Sequence, residues 1–260
     1  MNFHETRLSD DELIAAARRL GAAQQRFPAV MSSYSPRPIA GGDEDQQVAP
    51  GTSNPYWEIV RLLPAERALY GARLSPDGRW GRMNAAVLDD AVLAQLIRNE
   101  LCMRYAWAIP TPGDIAWITA KLAGEPVVEI GAGSGYWAWQ LTQAGIEVIA
   151  YDPHPPGPGN QYAHGPLYHR VRYGDHTAVL GHQDRALMLC WPSADETFAA
   201  DTIAGYDGRT VIYIGEPDDG CCAEPGFFKL LHDQFEIDGG FAPEHVAFLG
   251  TRCDLSVWRR

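Results

Sequence analysis

Residues 127–137, VVEIGAGSGYW, constrain the chain more than any other stretch. A short apolar run carrying the acid Glu129 gives way to Gly131, Gly133 and Gly135, alternating with small residues. Glycines placed directly after a strand permit a tight turn and close backbone approach, and the helix that follows offers free N–H groups. A bend of this kind suits the adenosine end of either a dinucleotide or S-adenosylmethionine. Ribose hydroxyls then need an acid at the end of the next strand, and Asp152 lies 21 residues beyond Gly131, close to the expected separation of about 20.

The surrounding rhythm is strand, helix, strand. PVVEI reads as a buried strand, 135–144 as a helix and EVIAYD as a second strand. LYHRVRYGD (167–175), RALMLCW and TVIYIGE continue the series, with helices over 194–205 and 225–235. Alternation of this type predicts an α/β fold, a parallel sheet covered on both faces. EHVAFLG and DLSVWRR, separated by too few residues for a crossover helix, predict a closing antiparallel hairpin.

Upstream the pattern is helical. Ser9 and Glu12 form a capping box before a helix over 9–26 with Leu13, Ala16, Ala17 and Leu20 on one face. Residues 28–55 are rich in Pro, Gly, Ser and acids and read as a long loop. YWEIVRLL and 84–107 are again helical, and Thr111 caps a helix from Pro112 to about Leu122. The expected division is a helical extension or lid over 1–110 and a ligand-binding domain over 111–260.

Composition narrows the partners. A formal charge of −12 without any run of Lys or Arg argues against nucleic acid. The sequence has no apolar run long enough to span a membrane and no signal-peptide core at its N-terminus. Five cysteines without a Cys-x-x-Cys pair suit a reducing compartment, so a cytoplasmic location is expected. Five of eight histidines crowd into 154–182, yet their separations match no metal pattern, and no metal is expected. A homodimer is left open.

The stretch VEIGAGSGYWAWQL…GIEVIAYD resembles the Glu-x-Gly-x-Gly-x-Gly signature of class I S-adenosylmethionine-dependent methyltransferases, and strand and motif order extend the resemblance over 126–260. It implies a Rossmann-like seven-stranded methyltransferase sheet with its last strand antiparallel. It implies that the backbone of Gly131, Ala132, Gly133 and Gly135 cradles the methionine end of S-adenosylmethionine. Glu129 would orient that bend and the amino group, Asp152 would hold the ribose, and Tyr136 would face the cofactor. YGDH resembles the adenine-side motif, bringing Gly174, Asp175 and His176 to the cofactor; capping of the next helix by Asp175 is an equal alternative.

LCWPS (189–193) resembles the Asp/Asn-Pro-Pro-Tyr motif of amino-directed members. Cys190 and Trp191 replace its polar residue, which argues against N-methylation of a nucleobase or glutamine. Trp191 instead offers a π face to a sulfonium, and Cys190 lies beside it. The loop DPHPPGPGNQYAHGPL is expected to cross the mouth of the sheet, with His164 as candidate base and Asn160 and Tyr162 as contacts. Tyr105 and Trp107 are candidates to line the pocket. The expected activity is methyl transfer to a small molecule. Two alternatives stand beside it: aminobutyl transfer or cyclisation of the same cofactor releasing methylthioadenosine, and non-catalytic cofactor binding. A NAD-dependent oxidoreductase is the residual case.

Overall fold

The computed structural model describes residues 8–23, 46–62, 97–157, 160, 162–194, 196–248 and 251–260. The expected loop over 28–45 and the first part of the helical stretch, 84–96, lie outside the described residues.

The chain divides into two compact units. The first contains helices α1 (Asp10–Ala23) and α2 (Pro55–Val60), which pack on each other. The capping box at α1 forms as expected: the Ser9 amide donates to Glu12 Oε2 at 2.7 Å, and the Glu12 amide donates back to Ser9 Oγ. Leu13, Ala17 and Leu20 are its buried stripe. Asn54 caps α2 through Trp57 N, and α2 buries Tyr56, Trp57, Ile59 and Val60.

The second unit, residues 48–53, 102–247 and 251–260, is built on a seven-stranded sheet ordered β3-β2-β1-β4-β5-β7-β6. Its strands are β1 (Val127–Ile130), β2 (Val148–Asp152), β3 (Val171–Tyr173), β4 (Ala186–Cys190), β5 (Thr210–Gly215), β6 (Glu236–Phe241) and β7 (Asp254–Arg259). The first five pair in parallel, whereas β7 runs antiparallel to both neighbours. α3 (Pro112–Leu122) precedes β1, and between strands lie α4 (Tyr136–Gln143), a 3-10 turn (His176–Gly181), α5 (Phe198–Ala204) and α6 (Pro225–Gln234).

Strand alternation sorts side chains into two cores. Val127, Met188, Ile212 and Val257 point to the layer of Ile118, Leu122, Trp137 and Leu141. Val128, Leu187, Val211 and Tyr213 point to the layer of Ala199, Ile203, Phe227 and Leu231. Burial on both faces is why β4 and β5 read as near-continuous apolar runs, and β1 as one broken only by Glu129. The cap of α3 is as expected, with Thr111 Oγ1 accepting from the Asp114 amide and Asp114 Oδ2 accepting from the Thr111 amide.

Two expectations need correction. The third strand is only Val171–Tyr173, because the Tyr168 amide donates to Ser134 O and holds the preceding residues against the glycine bend, away from β2. His169 is therefore not a strand residue. The closing hairpin pairs β7 with 236–241 and not with the described part of the expected strand, 244–248. His245 and Val246 are apolar-patterned because they are buried, not because they pair: His245 Nδ1 lies 2.9 Å from Asp114 Oδ2 and Nε2 lies 3.3 Å from Cys253 Sγ. The true strand, EIDGGF, is masked by its acids and by Gly239 and Gly240, both at positive φ beside a register shift.

Candidate active site

The site forms where the parallel strands end. At the end of β1 the amides of Gly131 and Ala132 both donate to Tyr151 O, at 2.8 and 2.9 Å, wrapping the bend around the end of β2. Gly131, Gly133 and Gly135 have φ of 79, 54 and 71°, conformations that disfavour any residue with a Cβ. At Gly135 a Cβ would come within 2.9 Å of Val171 Cγ2, while at Gly133 it would meet open space. Thus Gly135 serves the packing of α4 against the start of β3, and Gly133 borders the cavity.

Asp152 fastens this bend. Its Oδ2 accepts from the Gly133 amide and its Oδ1 from the His154 amide, each at 2.7 Å. Glu129, in the middle of β1, is 1% exposed, and its Oε2 has no hydrogen-bond partner. Burial first, then the Asp152 carboxylate, push its pKa up to about 8, opposed in part by the Ala138 amide. A buried carboxyl with an unused oxygen is costly, and this one lines a cavity of about 470 Å³, within the range usual for small-molecule sites.

The opposite side of the cavity is aromatic. Tyr105 and Trp107 line it together with Cys190, Trp191 and Phe198. The Trp107 and Trp191 rings stack at 6.4 Å between centroids and 25° between planes. Trp191 holds a left-handed backbone (φ 52°), fixed by its amide donating to Ile214 O at 2.7 Å. Trp107 Nε1 donates to Tyr162 O at 3.0 Å. Burial pushes the Cys190 thiol well up, so it is a neutral wall and not a nucleophile.

Of the residues expected at the site, the cavity gathers Glu129, Gly131, Ala132, Gly133, Asp152, Cys190, Tyr105 and Trp191, with Asn160 and Tyr162 from the crossing loop. Others lie elsewhere. Tyr136 is fully buried in a ring cluster, edge-on to Tyr105, Trp139 and Tyr168 at 5.1, 5.3 and 4.7 Å. Asp175 is exposed and caps the 3-10 turn, Oδ1 accepting from Thr177 N and Oγ1, bonds that hold its carboxyl below the usual range. Gly174 is needed because a Cβ there would meet the Tyr151 ring at 2.7 Å, and His176 opens the turn. None of these three lines the cavity.

His164 is also outside it; its amide donates to Met103 O and pins the loop to the helical turn at 102–104. The histidine that lines the cavity is His154. Its segment is held at both ends of the residue, by Asp152 Oδ1 on the amide and by Asn160 Nδ2 on the carbonyl. Phe198 was not foreseen; it opens α5, and its ring edge lies 3.3 Å from the Cβ position of Gly131. Its only sequence signal is its place as the next large apolar residue after Trp191.

No family model matches the chain, and no curated protein matches it. Among solved structures, similarity is found to magnesium protoporphyrin IX methyltransferase from Synechocystis with bound S-adenosylmethionine, at 19% identity over 69% of this chain and 86% of that one, TM-score 0.38. A TehB-like S-adenosylmethionine-dependent methyltransferase from Corynebacterium glutamicum is similar at 18% identity over 57% and 87%, TM-score 0.38. The 1,6-didemethyltoxoflavin-N1-methyltransferase of Burkholderia thailandensis is similar at 22% over 57% and 76%, TM-score 0.34. Five parallel strands extended by an antiparallel β7 inserted beside β5, with helices on both faces and the ligand-sized cavity at the strand ends, give the chain the seven-stranded Rossmann-like sheet that the sequence resemblance implied.

Proposed function

We propose that the protein is an S-adenosylmethionine-dependent methyltransferase acting on a small molecule. The observation that carries this reading is the unpartnered Glu129 oxygen, buried in the cavity beside the bend that Asp152 holds. An ammonium group satisfies such an oxygen with a charge-assisted bond, whereas a nicotinamide offers only the weaker donor of its neutral amide. The Gly131–Gly133 backbone would cradle the amino-acid end. Asp152 has spent one lone pair of each oxygen on the chain's own amides and keeps the others for ribose hydroxyls.

When bound, the cofactor supplies a methyl group activated by a sulfonium for in-line displacement. The chain's part is orientation and exclusion of water. Trp191, fixed by its backbone bond to β5, presents a π face to positive charge, a contact worth about 0.5–2 kcal/mol. His154 is the imidazole we assign to take a proton from the acceptor, in place of His164.

The test is product analysis. Incubation of the purified chain with S-adenosylmethionine and a panel of small aromatic and aliphatic acceptors should give S-adenosylhomocysteine and a methylated acceptor. Methylthioadenosine formed from S-adenosylmethionine alone would replace methyl transfer with consumption of the other arms of the cofactor. No turnover of either kind, with binding intact, would leave a non-catalytic binder.

A further inference from the structure

Charge and ring geometry in the same cavity narrow the acceptor. Its carboxyl-bearing lining residues are Glu129, Asp152 and the exposed Glu196. Among the described residues no lysine or arginine lines it. A phosphate, sulfate or carboxylate entering it would lose water and find no cation in exchange, which is costly. Polar groups for a neutral acceptor are present, in Ser193 and Asn160 and in the acids themselves.

The wall is as selective in shape. Trp107 and Trp191 lie within 25° of parallel, and Phe198 and Tyr162 add further rings to the lining. Trp191 keeps a left-handed backbone to stand where it does, a cost borne more often at ligand sites than in ordinary packing. Its partner is the more adjustable: Trp107 is tied through Nε1 to the carbonyl of Tyr162, whose own residue is 47% exposed.

We propose that the acceptor is a planar aromatic molecule, uncharged or cationic, stacked on the Trp107–Trp191 wall. This rests on the cofactor reading above, and it goes beyond that reading by excluding aliphatic and anionic acceptors. Stacking on indole is worth enough to separate a flat ring from its saturated counterpart by about tenfold in affinity.

The test is calorimetry on the full chain saturated with S-adenosylhomocysteine, using four probes: 2-naphthol, decahydro-2-naphthol, 2-naphthoate and N-methylquinolinium. The expected result is binding of 2-naphthol and N-methylquinolinium, with decahydro-2-naphthol and 2-naphthoate weaker by about tenfold or more. In Trp107→Leu the advantage of 2-naphthol over decahydro-2-naphthol should shrink toward parity. Equal affinity for the flat and saturated alcohols would overturn the stacking claim, and tight binding of 2-naphthoate would overturn the charge claim. Failure of S-adenosylhomocysteine itself to bind would instead strike the cofactor reading, so the two are told apart in one titration series.

Discussion

Asp152 accepts a 2.7 Å hydrogen bond from the amide of Gly133, so the acid at the end of β2 and the bend at the end of β1 form one unit. Removing the acid therefore costs twice, once at the ligand and once at the bend. Asp152→Ala should weaken S-adenosylhomocysteine binding by about 1.5–3 kcal/mol for each charge-assisted bond lost. Asp152→Asn, which keeps an acceptor for Gly133, should lose less. Calorimetry that found both variants equal to wild type would remove Asp152 from the site.

Glu129 gives a pH signature. Its pKa is pushed up to about 8 in the fold, against an ordinary value of 4.5. Between those values the folded chain keeps a proton that the unfolded chain has released, so stability falls as pH rises through this window and levels off above it. Glu129→Gln should match wild type near the lower limit and exceed it at about pH 9, each kcal/mol appearing as roughly 2–4 °C in Tm. The same variant should bind S-adenosylhomocysteine poorly. Thermal melts across pH check the first point; a difference that does not change with pH would contradict it.

Trp191 should invert the usual ranking of alanine and glycine. Its left-handed φ of 52° costs an L-residue about 1–2 kcal/mol, a cost that alanine retains and glycine escapes. Trp191→Gly should accordingly be the more stable of the two truncations by about 1 kcal/mol in urea denaturation. Alanine proving the more stable would show that the backbone there is not held in the left-handed region.

Asp114 joins two devices. Its carboxyl completes the cap of α3 and meets the buried His245, which in turn reaches Cys253 beside β7. A cap alone is worth about 1 kcal/mol, whereas a buried polar group left unpaired costs about 1–3 kcal/mol more. Asp114→Ala should therefore destabilise the chain by about 2–4 kcal/mol, read as a lower urea midpoint. A loss no larger than a surface cap would mean that His245 is satisfied without it.

These particulars mark what the sequence makes legible. Helix ends are local chemistry, so Ser9 with Glu12 and the Thr111 cap could be read directly. The bend and Asp152 were legible because glycine spacing and strand length together dictate their meeting. The last hairpin was not, because burial of His245 and Val246 by distant partners imitates a strand while acids and paired glycines disguise the real one. The choice between His154 and His164 depends on how a proline-rich loop closes, and Asn160 decides that by bonding to His154 O. Likewise the stack of Trp107 on Trp191 joins residues far apart in the chain, and no local periodicity announces it.

The most direct measurement is a pair of calorimetric titrations of the purified chain, one with S-adenosylhomocysteine and one with NAD. The expected result is one saturable site for S-adenosylhomocysteine, tighter as pH rises toward about 8 because Glu129 must ionise to receive the ammonium, and no heat with NAD. Binding of NAD, or a flat S-adenosylhomocysteine titration across that pH range, would contradict it.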